Sequence, residues 1–247
     1  MNNSPAPALS CGLEIIELIY KSGNLSFSQI AGLTGFNVSS LNRYIKVLTE
    51  AGYLYKTDEG KYSLGYKLLL LGRSDSVWSR LSEKSTPILK EISRKYGVTT
   101  LLIGVSSEKI VVLNKATHPD NVVMQKVGSE IEGNRVAPWG ILLLTQIIKK
   151  EGQDSGEKYL KDHRQEFKIL PKEVLEQFIG QAEKNGYCDD RGRILKGVRR
   201  LAVPICDHNG NIFASIGVGT FESLHDEKGI DEIIRVMKIK ADELKTF

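Results

Sequence analysis

The stretch SSLNRYIKVLTEAGYL, residues 39–54, holds the residues best suited to chemistry with a polyanion. Ser39, Ser40, Asn42, Arg43 and Lys46 fall on the early, exposed part of a helix. Leu41, Ile45, Val47 and Leu48 supply its inward side. Asn and Arg can form paired hydrogen bonds to adenine and guanine edges in a major groove, and Ser and Lys can grip phosphate. Tyr44 belongs to the same cluster. Lys56 and Lys61 flank a short turn just downstream, within reach of backbone phosphates. Against this stands the plain alternative of a solvated helix face. Glu50, Asp58 and Glu59 would repel phosphate wherever they faced it.

A second constellation lies near the C-terminus, where RRLAVPICD and NIFASIGVGTF alternate as two strands of a hairpin across His208-Asn209-Gly210. Leu201, Val203, Ile205, Ala214, Ile216 and Val218 point to one face and should pack against helices. Arg200, Ala202, Pro204, Cys206, Ser215, Gly217 and Gly219 point to the other. Small residues leave volume above a sheet, and glycine inside a strand marks a close approach. An arginine beside that volume offers a fork for a carboxylate or phosphate. Asp189 and Asp190 sit where the chain enters the sheet. The competing account is structural: Gly217 and Gly219 accommodate a packed helix, and Arg200 reaches solvent or pairs with Asp190.

Catalytic signals are sparse. His118, His163, His208 and His225 have no metal-ligand spacing, and no nucleophile elbow or phosphate loop occurs. Cys11, Cys188 and Cys206 are scattered, which argues against a disulfide framework or a zinc ribbon and suits a reducing cytoplasm. No apolar run approaches the roughly 20 residues that span a bilayer, and the N-terminus lacks the pattern of a signal peptide. The net charge of +4 is only mildly basic. A case for nucleic acid therefore rests on where the basic groups sit.

The elements that must position these residues follow from periodicity and caps. Leu9, Leu13, Ile16 and Tyr20 recur at helical spacing and read as one buried stripe. Ser26 caps a second helix with Gln29 in the capping-box position, and Gly35 closes it. Asn37 or Ser39 caps a third, which Gly52 ends. YLYKT and KYSL flank the turn Asp58-Glu59-Gly60 as a hairpin. Three short helices and a hairpin make a winged helix-turn-helix.

Beyond it, residues 77–95 are helical, with Pro87 starting a new helix. VTTLLIGVS, KIVVLNKA and VVMQKV read as strands, APWGILLLTQIIKK as an amphipathic helix, PKEVLEQFIGQAEKNG as another, and residues 230–244 as the last. Antiparallel strands with interspersed helices indicate an α+β fold.

SSLNRYIKVLTEAGYL followed by KYSLGYKLLLLG resembles the N-terminal domain of IclR-type bacterial transcriptional regulators. Ser40 and Arg43 hold the Ser/Thr-x-x-Arg positions, and Tyr62, Leu64, Gly65, Leu71 and Gly72 match the segment after the wing. NGYCDDRGRILKGVRRLAVPICDHNGNIFASIGV resembles the effector-domain signature of the same family.

The resemblance covers roughly residues 9–244. It implies a DNA-binding domain over 1–73, an inter-domain helical linker over 74–95 and a GAF-like effector-binding domain over 96–247. It also implies a double-stranded DNA operator, a small organic acid effector, a homodimer or homotetramer, no cofactor and no catalysis. By position, Asp190, Arg200, Gly217 and Gly219 fall where the family lines its pocket, with Pro138 and Trp139 on the helix facing the sheet. Arg200 replaces a small residue, and the glycines replace small polar ones. The pocket is thus expected to be reshaped with an added cation, suited to a larger acid such as a sugar acid or aromatic acid. The rival expectation is a small-molecule sensor or enzyme whose winged helix contacts protein.

Overall fold

The computed structural model describes residues 4–72, 76–106, 109–121, 127–128 and 135–245. The chain divides into two compact units, Met1–Asp75 and Ser76–Phe247.

The first unit runs α1 (Pro7–Ser22), α2 (Phe27–Thr34), α3 (Val38–Glu50), β1 (Leu54–Lys56), β2 (Tyr62–Leu64) and α4 (Tyr66–Gly72). Local chemistry sets these boundaries. Ser26 and Gln29 form the reciprocal capping box, each side chain taking the other's backbone N–H. Asn37 Oδ1 accepts from Ser40 N at 2.8 Å and caps α3. Such a cap contributes about 1 kcal/mol. Tyr55 pairs with Ser63 in the antiparallel wing, and Gly60 takes the left-handed conformation its turn requires. Gly65 is needed for space, since a Cβ there would stand 2.1 Å from the Gly52 carbonyl oxygen. Ile15, Ile19, Leu25, Ile30, Leu41, Ile45 and Leu54 close the core.

One expectation is corrected here. Leu9, Leu13 and Tyr20 are not a buried stripe: they are 65%, 53% and 58% exposed. Ile15 and Ile19 take the inward positions instead. Val47, expected on the inward side of α3, is likewise 63% exposed.

The second unit runs α5 (Val77–Tyr96), β3 (Thr99–Ser106), β4 (Lys109–Ala116), α6 (Pro138–Glu151), α7 (Gln153–Asp162), α8 (Arg164–Phe167), α9 (Lys172–Asn185), β5 (Cys188–Asp189), β6 (Val198–Cys206), β7 (Ile212–Phe221) and α10 (Glu227–Glu243). Among the described residues, five strands pair antiparallel in the order β4-β3-β7-β6-β5. Leu201, Val203, Ile205, Ala214, Ile216 and Val218 face α5 and α10, as their alternation required. Leu101, Ile103 and Ala202 face α6 to α9 on the other side. Both faces of the sheet are therefore covered. The strand expected at VVMQKV falls largely on residues 122–126, outside the described residues.

Pro87 does not start a helix but lies inside the single helix α5. Proline removes one N–H from the helical ladder and crowds the preceding turn. There the Ser82 carbonyl accepts from Ser85 Oγ, Thr86 Oγ1 and Asn114 Nδ2 of β4, at 2.8, 3.0 and 2.9 Å. These bonds fall one residue before the Glu83 carbonyl that Pro87 leaves without its helical donor, and they tie this turn to β4 while the helix runs on through the proline. Its Leu81, Ile88, Leu89 and Ile92 are built into the core of the second unit.

The helix α6 is not amphipathic along its length. Every residue from Pro138 to Thr145 is buried, because α7, α9 and the sheet surround its first two turns. The last helix starts before residue 230, since Asp226 caps it by accepting from Gly229 N at 2.8 Å.

Candidate nucleic-acid interface and ligand site

The third helix of the first unit divides its surface into sectors. Ser39, Asn42, Arg43 and Lys46, spaced by three, four and seven, share one exposed face. Leu41 and Ile45 are buried on the opposite side. Ser40 is half-exposed, and its Oγ accepts from Arg43 Nη2 at 3.3 Å, which aligns the guanidinium along the helix. Tyr44 stands apart from this face. It is half-buried against the core and meets Phe36 edge-on, ring centroids 6.0 Å apart. An aromatic so engaged is a packing residue in this conformation.

The acidic neighbours do not cover the polar face. Glu50 lies one turn beyond Lys46 at 3.8 Å, in an exposed pair that is worth little. In the wing, Lys56 is exposed and its ammonium lies 5.8 Å from the centre of the Tyr62 ring. Lys61 donates to Glu59 at 3.0 Å, so one carboxylate competes with phosphate at the wing tip.

In the second unit, Pro138, Trp139, Arg200 and Gly217 come together on the α6 face of the sheet. Pro138 starts α6, and Trp139 follows, 1% exposed. Its indole covers Gly217: a Cβ on Gly217 would stand 3.3 Å from Trp139 Cε3 and 2.9 Å from Ile103 Cδ1. The volume left by small residues is therefore filled by the indole in this conformation. Gly219 pairs with Arg200 across β6 and β7. The Arg200 guanidinium lies 5.8 Å from the centre of the Trp139 ring. Among the described residues, the buried Trp139 Nε1 and Ser215 Oγ on these elements have no hydrogen-bond partner. Leaving such atoms unsatisfied costs about 1–3 kcal/mol each.

Asp190 is fully buried. It accepts from Arg200 Nε at 2.7 Å, from Arg200 N at 2.8 Å and from Gly192 N at 3.1 Å. Burial pushes its carboxyl above the usual range, while the Arg200 charge and the hydrogen bonds oppose that rise. Arg200 thus pairs with Asp190, and Gly217 accommodates a packed helix, as the structural account of this face required.

A neighbouring cluster was not singled out from the sequence. Arg199 donates to both oxygens of Asp189, from Nε at 3.1 Å and Nη2 at 2.7 Å, and to Glu227 Oε1 from Nη1 at 2.6 Å. Burial works against its charge, but these hydrogen bonds outweigh burial and hold its pKa above the ordinary value. The signal was present in two acids and two arginines ten residues apart. Antiparallel pairing of β5 with β6 sets Asp189 opposite Leu201, so Asp190 meets Arg200 just past the strand end while Asp189 meets Arg199 on a diagonal. Burial pushes the Cys188 thiol well up, with Asp190 and Asp189 adding to the effect, so it is no activated nucleophile.

Fold and site together define a DNA-binding regulator with a separate sensing domain, and comparison with known proteins agrees. A family model described as "Bacterial transcriptional regulator IclR C-terminal" matches residues 78–246, and one described as "Winged helix-turn-helix DNA-binding" matches residues 12–55. The chain belongs to the IclR family of bacterial transcriptional regulators.

The HTH-type transcriptional regulator XynR of Escherichia coli (strain K12) is 26% identical over 87% of this chain and 86% of its own. The Thermotoga maritima IclR crystal structure is 24% identical, covers 97% of each chain and superposes with a TM-score of 0.67. An IclR homolog from Microbacterium hydrocarbonoxydans, crystallised with 4-hydroxybenzoate, is 19% identical. It covers 97% of this chain and 98% of its own, with a TM-score of 0.78. Among the described residues no helix is long and apolar enough to cross a membrane.

Proposed function

We propose that this regulator reads its operator with the face Ser39, Asn42, Arg43 and Lys46 in the major groove, while Ser40, Lys56 and Lys61 contact phosphates. The observation that carries this reading is the exposure of that face on a capped helix whose opposite side is core. Arg43 and Asn42 are suited to paired hydrogen bonds with guanine and adenine. Tyr44 is left out of the base-reading set on account of its packing. The test is equilibrium binding to the intergenic DNA beside the regulator's own gene. Arg43→Ala is expected to cost roughly 1–3 kcal/mol and to relax base preference at one position. Unchanged affinity would remove α3 as the reading element.

The effector we propose is a small organic acid bound against Trp139, Arg200, Gly217 and Gly219, with Pro138 and Asp190 holding the wall. Support comes from the two buried polar atoms without partners, the guanidinium beside the indole, and the aromatic acid in the Microbacterium homolog's structure. A carboxylate there would accept from the indole N–H and face the Arg200 charge, with Trp139 turning aside to admit it. Effector binding then alters operator affinity, and operator binding alters effector affinity by the same factor, typically worth about 1–3 kcal/mol. A thermal-shift screen of carboxylic acids against the native protein and Arg200→Ala tests the site. An acid that stabilises both equally rules out Arg200.

We further propose a homodimer, which fits a cytoplasmic regulator of a pseudo-palindromic operator. Leu9, Leu13 and Ile16 of α1 and Val47 and Tyr53 beyond it line an open groove of about 650 Å³. On the same unit, Leu69, Leu70 and Leu71 of α4 are 58%, 55% and 49% exposed. An apolar groove and an apolar helix on one unit, both open, suit reciprocal exchange between two copies.

A further inference from the structure

Val38 opens α3 and is 66% exposed, although it is apolar and β-branched. It takes no part in the core of the first unit, and it does not line the apolar groove beside α1. A second copy docked in that groove therefore does not account for it. Its place on the helix points elsewhere. At about 100° per residue, Val38 and Asn42 stand roughly 40° apart around the axis and one turn from each other, with Val38 on the far side of Asn42 from Arg43. The first turn of α3 carries no acidic residue, so no carboxylate there repels a nucleic-acid backbone. The start of a reading helix is the part that meets base edges. A side chain there with no donor or acceptor can still distinguish one feature of the major groove, the 5-methyl group of thymine.

We propose that Val38 reads a thymine methyl next to the adenine that Asn42 reads, so that the operator carries a thymine within one or two base pairs of that adenine. The inference rests on the operator reading given above. Its spacing follows from geometry: one helical turn rises about 5.4 Å, and successive base pairs lie about 3.4 Å apart. Asn42 and Arg43 discriminate by hydrogen bonds, and Val38 discriminates by contact. Valine suits this task, because its two methyls are held close to the backbone by a stiff χ1 and present a fixed apolar surface. Burying one methyl-sized group is worth about fourfold in affinity.

The test uses duplexes that the full-length protein selects from a random-sequence library, with affinity read by fluorescence anisotropy at constant salt. The adenine is located first, as the pair at which Asn42→Ala loses base preference. Each thymine nearby is then replaced by uracil, which removes the methyl and keeps the hydrogen-bonding edge. One such replacement should weaken binding of the native protein about fourfold. Val38→Ala should bind the thymine duplex about fourfold more weakly and should not distinguish thymine from uracil. Alanine is the better helix former, so α3 is kept in this variant. Uracil that changes nothing within two base pairs of the adenine overturns the proposal, as does a uracil effect of equal size in Val38→Ala, or an Asn42→Ala protein that keeps every base preference. Weakened self-association of Val38→Ala in sedimentation velocity, with methyl sensitivity intact, assigns the residue to a second copy instead. Failure of Arg43→Ala to weaken binding, or of the protein to select any duplex, removes the operator reading and this inference with it. A weakened Arg43→Ala beside insensitivity to uracil removes Val38 alone.

Discussion

Trp139 stacks across Gly217 so closely that a β-carbon at residue 217 would lie 3.3 Å from the indole and 2.9 Å from Ile103. The backbone of β7 and the first turn of α6 therefore share one space. Gly217→Ala is expected to overpack this contact and lower stability by about 1–3 kcal/mol, read by chemical denaturation. Trp139→Ala combined with Gly217→Ala should recover the overpacking part of that loss while keeping the cost of the lost indole. A Gly217→Ala protein as stable as the native one would show that Trp139 moves aside freely.

Arg200 and Asp190 stand or fall together. Arg200→Ala strands a carboxylate with no exposure, and breaking a buried pair on one side costs about 3–5 kcal/mol. Adding Asp190→Asn should restore much of that loss, because the amide needs no counter-charge. A double-mutant cycle by urea denaturation measures the coupling, and additive losses would mean that the two groups do not support each other.

For the open groove, Leu13→Asp or Val47→Asp should leave the monomer folded, since both positions are more than half exposed. Sedimentation velocity should then show dissociation toward monomer, because each charge would be buried against an apolar partner. Native-like association in both variants would send the search for the interface elsewhere.

Glu227 provides a pH prediction. Its hydrogen bond from Arg199 holds its carboxyl below the usual value. A depressed native pKa means the contribution is present above the unfolded pKa and is lost as pH falls through the native one. Stability should therefore decline on acidification below the ordinary glutamate range. The Glu227→Gln protein should show less of that decline. Because the carboxylate is 73% exposed, solvent screening keeps the effect small. An identical acid limb in both proteins would place the titrating group elsewhere.

What could be read from the sequence was local or periodic. Ser26, Gln29 and Asn37 announce their caps because the donor and acceptor lie three residues apart. Leu201 to Val218 announce the sheet face because alternation carries it. Periodicity at Leu9, Leu13, Ile16 and Tyr20 identifies a stripe but not what covers it, so a surface open in one chain reads as core. Pro87 reads as a start because the contacts that hold α5 together around it, such as Asn114 on the Ser82 carbonyl across 32 residues of chain, are not local. The candidate ligand site was legible as a set of small residues beside a cation. That Trp139 fills the space and Asp190 engages Arg200 depends on packing between distant segments, which spacing does not encode.

Asn114 holds the Ser82 carbonyl at the turn of α5 that proline loosens, and also donates to Thr86 Oγ1. The weakest point of that long rod is thereby riveted to an outer strand of the sheet. A displacement of that strand would be handed on to the helix at the one place where it bends most cheaply.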